Sequence, residues 1–200
     1  MNENFENENI EVENTEAEIT EEPSLIKKVR REIFEWVQAI VIAVVLALVI
    51  RNFVFTVVRV DGQSMEPTLQ HNDRMIVWRV GYEPEQNDIV IFNPQGYDEN
   101  IYWVKRVIAL EGQHVTIDYS ENAVYVDGEK LEETYLGEEM LPQQTITDII
   151  VPEDHVFVMG DNRNHSTDGR VIGPIKEDSI IGRAVLRFWP MNKIETYKRG

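Results

Sequence analysis

One uninterrupted apolar run, residues 36–50 (WVQAIVIAVVLALVI), stands apart from everything that follows it. Gln38 is its only strongly polar residue, and from Ala39 onward no face carries a polar stripe, unlike the half-buried helix of a globular core. Phe53, Val54 and Phe55 prolong the stretch beyond Arg51 and Asn52. A spanning helix needs about 20 residues. Residues 36–55 supply that length if Arg51 snorkels to the interface, with Trp36 and the phenylalanines at the two ends. Lys27, Lys28, Arg30 and Arg31 precede the run in the manner of a cleavable signal sequence, but Arg51-Asn52-Phe53 is a poor small-residue cleavage site. The pattern therefore predicts an uncleaved transmembrane anchor, with its basic flank, over residues 27–55. Four cations before the run, against Arg51 and Arg59 after it, put the N-terminus in the cytoplasm and residues 56–200 outside the cell membrane. No later run is long enough to return.

Beyond residue 56 the period changes. Short β-branched and aromatic runs follow one another: TVVRV, RMIVWRV, DIVIF, IYWVKRVIAL, HVTID, AVYV, HVFVM and IIGRAVLRFW. Turn signals divide them at Asn72-Asp73, Asn87-Asp88, Glu111-Gly112 and Asp127-Gly128. The last of these, between AVYV and the next polar pair, predicts a hairpin with a type I′ turn. No amphipathic helix of ten or more residues is patterned. The expected fold is mainly β: a single N-terminal transmembrane helix, then a coiled antiparallel sheet, in part barrel-like, with a small β insertion near residues 113–150. Residues 131–144 read as a polar insertion or a long hairpin.

Charge is uneven. Of the formal net charge of −17, residues 1–22 carry −9, from nine Glu with no Lys, Arg or Asp. That Glu/Asn-rich stretch predicts a solvated, disordered acidic tail over residues 1–26. Nothing resembles a basic nucleic-acid footprint, so nucleic-acid binding is not expected. The absence of cysteine excludes disulfides, thiolate chemistry and Cys-based zinc sites.

Chemistry concentrates in three segments. Ser64 lies in a Gly/Pro-punctuated loop, VDGQSMEPTLQHND, just after the apolar run. Gly62 permits an unusual backbone angle there, and Pro67 restricts Glu66. Taken alone, such a serine is an ordinary turn hydroxyl. In IYWVKRVIAL, strand alternation puts Ile101, Trp103, Lys105, Val107 and Ala109 on one face and Arg106 among apolar residues on the other. An unpaired buried cation is costly. Arg cannot act as a base, whereas burial lowers a lysine pKa and makes Lys105 able to accept the Ser64 proton. Paired or snorkelling strand cations are the plain alternative. The third segment, residues 156–175, holds Asp161, Arg163, Asp168 and Arg170, a charge-balanced set suited to a salt-bridged loop bracing a site; Ser166 could add a hydrogen bond to an amine.

Two rival constellations use the same loop. His165 with Asp161 or Asp168 could complete a Ser-His-Asp triad with Ser64, or those groups could bind a metal. Neither explains Lys105. His71, His114 and His155 are scattered and read as solvated.

Taken in order, these segments resemble the type I signal peptidases, membrane serine proteases that remove signal peptides from exported proteins. Residues 62–69 (GQSMEPTL) resemble the nucleophile box, 88–92 (DIVIF) a following structural strand, 105–112 (KRVIALEG) the box carrying the general-base lysine, and 160–170 (GDNRNHSTDGR) the last box. The single anchor is more similar to the Gram-positive form. The resemblance implies Ser64 as nucleophile, Lys105 as general base, Ser166 orienting the amine, and Asp168 with Arg170 holding the site. Asp161 would be structural, His165 uninvolved, and no cofactor or metal required. Substrates would be signal-peptide-bearing preproteins cut after Ala-x-Ala-like small residues at the lipid bilayer, where Met65, Phe53 and Phe55 are expected to lie. The sequence departs from the family at three positions. Gly62 stands where some members carry a serine that helps hold the oxyanion, and Ala109 and Glu111 replace a frequent Gly and Pro.

Overall fold

A computed structural model of the protein describes residues 25–94, 96, 101–143 and 145–199; the expected acidic tail lies mostly outside them. They form two units that divide between Val45 and Leu46. The first is dominated by α1 (Leu25–Val49), which includes the basic flank and has no buried residue. A helix apolar on every side is stable only inside a protein or a bilayer. Among the described residues α1 alone is long and apolar enough to cross a membrane. A π-helical turn, Ile50–Val54, follows it. Phe55, expected at the end of the span, instead opens the first strand, where it pairs with Trp78 and packs edge-on against that ring at 5.0 Å.

The second unit is mainly β, and every strand pairing in it among the described residues is antiparallel. Its strands are β1 (Phe55–Arg59), β2 (Arg74–Trp78), β3 (Ile89–Phe92), β4 (Trp103–Ala109), β5 (His114–Asp118), β6 (Ala123–Val126), β7 (Glu129–Lys130), β8 (Asp148–Ile150), β9 (His155–Met159), β10 (Ile175–Lys176), β11 (Ile180–Trp189) and β12 (Glu195–Thr196). One sheet runs β1-β2-β11-β3-β4-β9-β10, with β12 added on β11, and a smaller one runs β7-β6-β5-β8. β11 gives Ile180–Arg183 to β3 and its later residues to β2, through register shifts near Gly182, Val185 and Phe188. Each extra residue bends the strand and raises its twist, so the large sheet curls.

That curl places hydrophobic cores on both faces of β3. Ile89 and Ile91 pack with Val60, Met65, Leu69, Met75 and Val77, while Val90 and Phe92 pack with Val107, Val156 and Val158. The four-residue strand reads as an unbroken apolar run because both of its faces are buried. The small sheet covers a third core, with Val115, Ile117, Val124 and Val126 against Ile108, Phe157 and Met159. Its β6–β7 hairpin turns through Asp127 and Gly128, both at positive φ as a type I′ turn requires. The segment from Leu131 to Gln143 forms no strand: it is an irregular loop anchored by the buried Met140.

Candidate active site

Ser64 sits in the loop between β1 and β2. The chain folds back on itself there, with Val60 N–H donating to Asp73 O (2.9 Å) and Asn72 N–H to Val60 O (2.9 Å). Met65 and Leu69 plunge into the core at 1% and 0% exposure and fix the loop from below. Met65, expected at a membrane interface, is thus a core residue: its unbranched side chain, one position after Ser64, packs in the cluster that includes Met75. Ser64 itself is half-buried, and its N–H donates to no protein acceptor among the described residues. Gly62 has φ +94°, with nothing within 4 Å of where a Cβ would lie. Its N–H donates to His71 Nδ1 (3.2 Å).

Lys105, at the middle of β4, is 4% exposed and lies 2.8 Å from Ser64 Oγ through Nζ. Nζ also donates to Val104 O (3.0 Å) and stands over the Trp103 ring at 5.5 Å. Burial drives its pKa down to about 8; Asp168 and Asp161 pull the other way, but desolvation is the larger effect. A contact in which the ammonium donates to the hydroxyl can reverse once the amine is neutral, with Ser64 O–H donating to the nitrogen lone pair.

Beneath this pair runs the loop from Gly160 to Arg170. Asp168, fully buried, receives Arg170 Nε and Nη2 at 2.9 Å each in a two-pronged pair and also accepts Gly160 N–H (2.9 Å). Arg170 Nη2 reaches on to Arg163 O (2.6 Å). The four charged residues of the loop do not pair among themselves as a set. Arg163 goes to Glu133 of the small-sheet region, and Asp161 takes Arg106 Nε (2.9 Å) and Nη2 (2.7 Å). Asp161 further accepts Thr68 Oγ1, from the Ser64 loop. It therefore ties the serine's loop to the strand that carries the lysine. Asn162 N–H donates to Ser64 O (3.0 Å).

Ser166 Oγ is buried beside Gly160 but has no hydrogen-bond partner among the described residues, so the expected bond to the Lys105 amine is not made in this structure. His165 is exposed and contacts Asn162 Oδ1 (3.1 Å) and Glu138, while Asp161 and Asp168 are occupied by arginines. The position a triad would give to histidine is held by Lys105. Among the described residues no group of three or more His, Asp or Glu is arranged to hold a metal.

Sequence reasoning overlooks Gly160, where a Cβ would fall 2.3 Å from Ser166 Oγ and 2.4 Å from Ser64 O. It also overlooks Arg163–Glu133 and the clamp of Arg187 on Asp73. An arginine within an apolar strand run is the available signal for Arg187.

An open groove of about 1380 Å³ passes Ser64 and Lys105, and Val58, Ile91, Trp103 and Ile181 supply apolar lining. Strands β1 and β4 border it. Among the described residues β1 pairs with β2 alone, and the ladder between β4 and β9 begins at Arg106.

Residues 33–189 match the profile of the family described as signal peptidase, peptidase S26. The chain is 41% identical over 168 residues to a probable signal peptidase I-1 of Synechocystis sp., covering 80% of this chain and 84% of that protein. It is 40% identical to signal peptidase I of Bacillus licheniformis over 87% of this chain and 97% of that one. Signal peptidase IB of Staphylococcus aureus (strain COL) is 32% identical over 83% and 94%. A signal peptidase I crystal structure from Enterococcus faecalis overlaps 51% of this chain at 28% identity with a TM-score of 0.43, too loosely for the overlap to bear on the fold. The one helix of spanning length among the described residues fits a single-pass membrane protein. A profile match over most of its length, with 40% identity sustained across almost the whole of a relative, makes this chain a member of the signal peptidase I family.

Proposed function

We propose that this protein is a membrane-anchored serine endopeptidase that removes N-terminal signal peptides from exported preproteins, with Ser64 as nucleophile and Lys105 as general base. The carrying observation is the 2.8 Å contact between Ser64 Oγ and a buried lysine whose pKa is lowered to about 8. Neutral Lys105 takes the Ser64 proton as Oγ attacks the scissile carbonyl carbon. The developing oxyanion lies toward the unengaged Ser64 N–H and the Gly62 side of the loop. Protonated Lys105 then gives its proton to the leaving amine, the C–N bond breaks, and water hydrolyses the acyl-enzyme with the lysine again as base. Asp168 and Arg170 act by holding the loop under the pair, and Ser166 orients the amine once its side chain rotates toward Lys105 Nζ.

The substrate is an extended segment ending in a small residue. The outer edge of β1, which among the described residues pairs with β2 alone, offers main-chain hydrogen bonds to such a segment, and the apolar lining offers shallow pockets for alternate side chains. Lys27, Lys28, Arg30 and Arg31, in the N-terminal part of α1, favour a cytoplasmic N-terminus and an extracytoplasmic active site. Holding enzyme and signal peptide in one bilayer raises their effective concentration, so a shallow groove suffices. The test is preprotein cleavage in detergent by Ser64→Ala and Lys105→Ala. Each is expected to lose at least about a thousandfold in rate; substantial activity in either overturns the pair.

A further inference from the structure

Two buried arginines grip the Ser64 loop from different strands. Arg106, on β4, acts through Asp161 on Thr68 Oγ1. Arg187, on β11, donates Nη1 to Thr68 O (2.7 Å) and to Asp73 Oδ2 (3.1 Å). Thr68 is therefore held at both its hydroxyl and its carbonyl, four residues after the serine. Asp73 in turn closes the loop, its Oδ2 accepting Gln70 N–H (2.9 Å).

The remaining donors of Arg187 leave the loop. Nε goes to Lys193 O (2.7 Å) and Nη2 to Glu195 Oε2 (2.7 Å), and Lys193 Nζ returns to Gln70 Oε1 (2.7 Å). One guanidinium thus joins the serine's loop to a C-terminal segment that lies beyond residue 189, where the family match stops. None of Thr68, Asp73, Arg187, Lys193 and Glu195 lines the groove. Nor does Arg187 stand among the charges that set the Lys105 pKa.

We infer that Arg187 is a positioning residue for acyl transfer at Ser64, with Lys193 and Glu195 forming the outer half of the brace. The inference rests on the reading of Ser64 as nucleophile. A planar fork can serve Thr68 O, Asp73, Lys193 O and Glu195 at once, which a single ammonium cannot. Without it Thr68 O loses its donor and the buried Asp73 carboxylate its counter-ion, and the loop relaxes. A displacement of the nucleophile on the order of 1 Å costs about a hundredfold in rate. Because the brace stays out of the groove and away from the lysine, the loss falls on kcat, with KM and the pH midpoint unmoved.

The experiment measures steady-state preprotein cleavage by the full chain in detergent for Arg187→Gln, Arg187→Lys, Glu195→Gln and Ser64→Ala. Arg187→Gln is expected to lower kcat roughly tenfold to a hundredfold, with KM within about twofold and an unchanged pH midpoint. Arg187→Lys, which keeps a cation for Asp73, should recover part of that loss, and Glu195→Gln should lose a few-fold. A folded Arg187→Gln with kcat within about twofold of the parent overturns the inference, as does a loss confined to KM. Should Arg187→Gln not fold, Glu195→Gln decides, and an unchanged kcat there overturns it. Residual activity in Ser64→Ala would overturn the nucleophile reading instead, a result separable from normal kcat in the Arg187 variants.

Discussion

Gly62 and Gly160 lie on opposite sides of Ser64 and are glycine for opposite reasons. Gly62 has a left-handed backbone and open space around it. Gly160 has no backbone requirement and no space: a Cβ would collide with the Ser64 carbonyl oxygen and with Ser166 Oγ. The loop carrying the serine is therefore free toward the groove and packed tight underneath. Its support is a second loop stabilised by its own buried ion pair, Asp168–Arg170. A nucleophile must be open to an incoming substrate while keeping sub-ångström placement, and the molecule separates these demands between the two loops.

Breaking the supporting loop should have the largest effect. Asp168→Ala leaves the Arg170 guanidinium, 1% exposed, without its counter-ion and the Gly160 N–H without an acceptor. A loss of about 3–5 kcal/mol in chemical unfolding is expected; a loss below about 1 kcal/mol would show that the pair is not what supports the site. Gly160→Ala comes next. Overpacking costs about 1–3 kcal/mol, and the forced shift of Ser64 O should lower kcat by roughly a hundredfold. Gly62→Ala is the mildest. Holding a non-glycine residue in that left-handed conformation costs about 1–2 kcal/mol, with no clash to add. Circular-dichroism melts and cleavage rates of the two alanine variants, compared side by side, check the contrast. Equal effects at the two glycines would erase it.

The eight strand runs read from periodicity each overlap an observed strand, because each is long enough to show alternation or a solid apolar block. β7, β10 and β12, of two residues each, and β8, of three, are too short to carry a period. The site is partly legible in the sequence. Ser64 announces itself by loop composition and Lys105 by sitting in an apolar strand, and the fold brings them within hydrogen-bond reach. The pairing of charges is not legible. Asp161 and Arg163 are two residues apart, yet their partners, Arg106 and Glu133, are 55 and 30 residues distant in sequence. Such pairs depend on which strands the sheet brings side by side. Met65 escapes sequence reasoning for a related reason, since hydrophobicity alone does not distinguish a core anchor from a membrane contact.

The central claim, that a buried and neutral Lys105 serves Ser64, is tested most directly by the pH dependence of kcat/KM. Below a pKa of about 8 the amine is protonated and cannot accept the serine proton, so the rate should fall about tenfold per pH unit on the acid side and level off above it. A profile that is flat from about pH 5 to 9 would contradict the account.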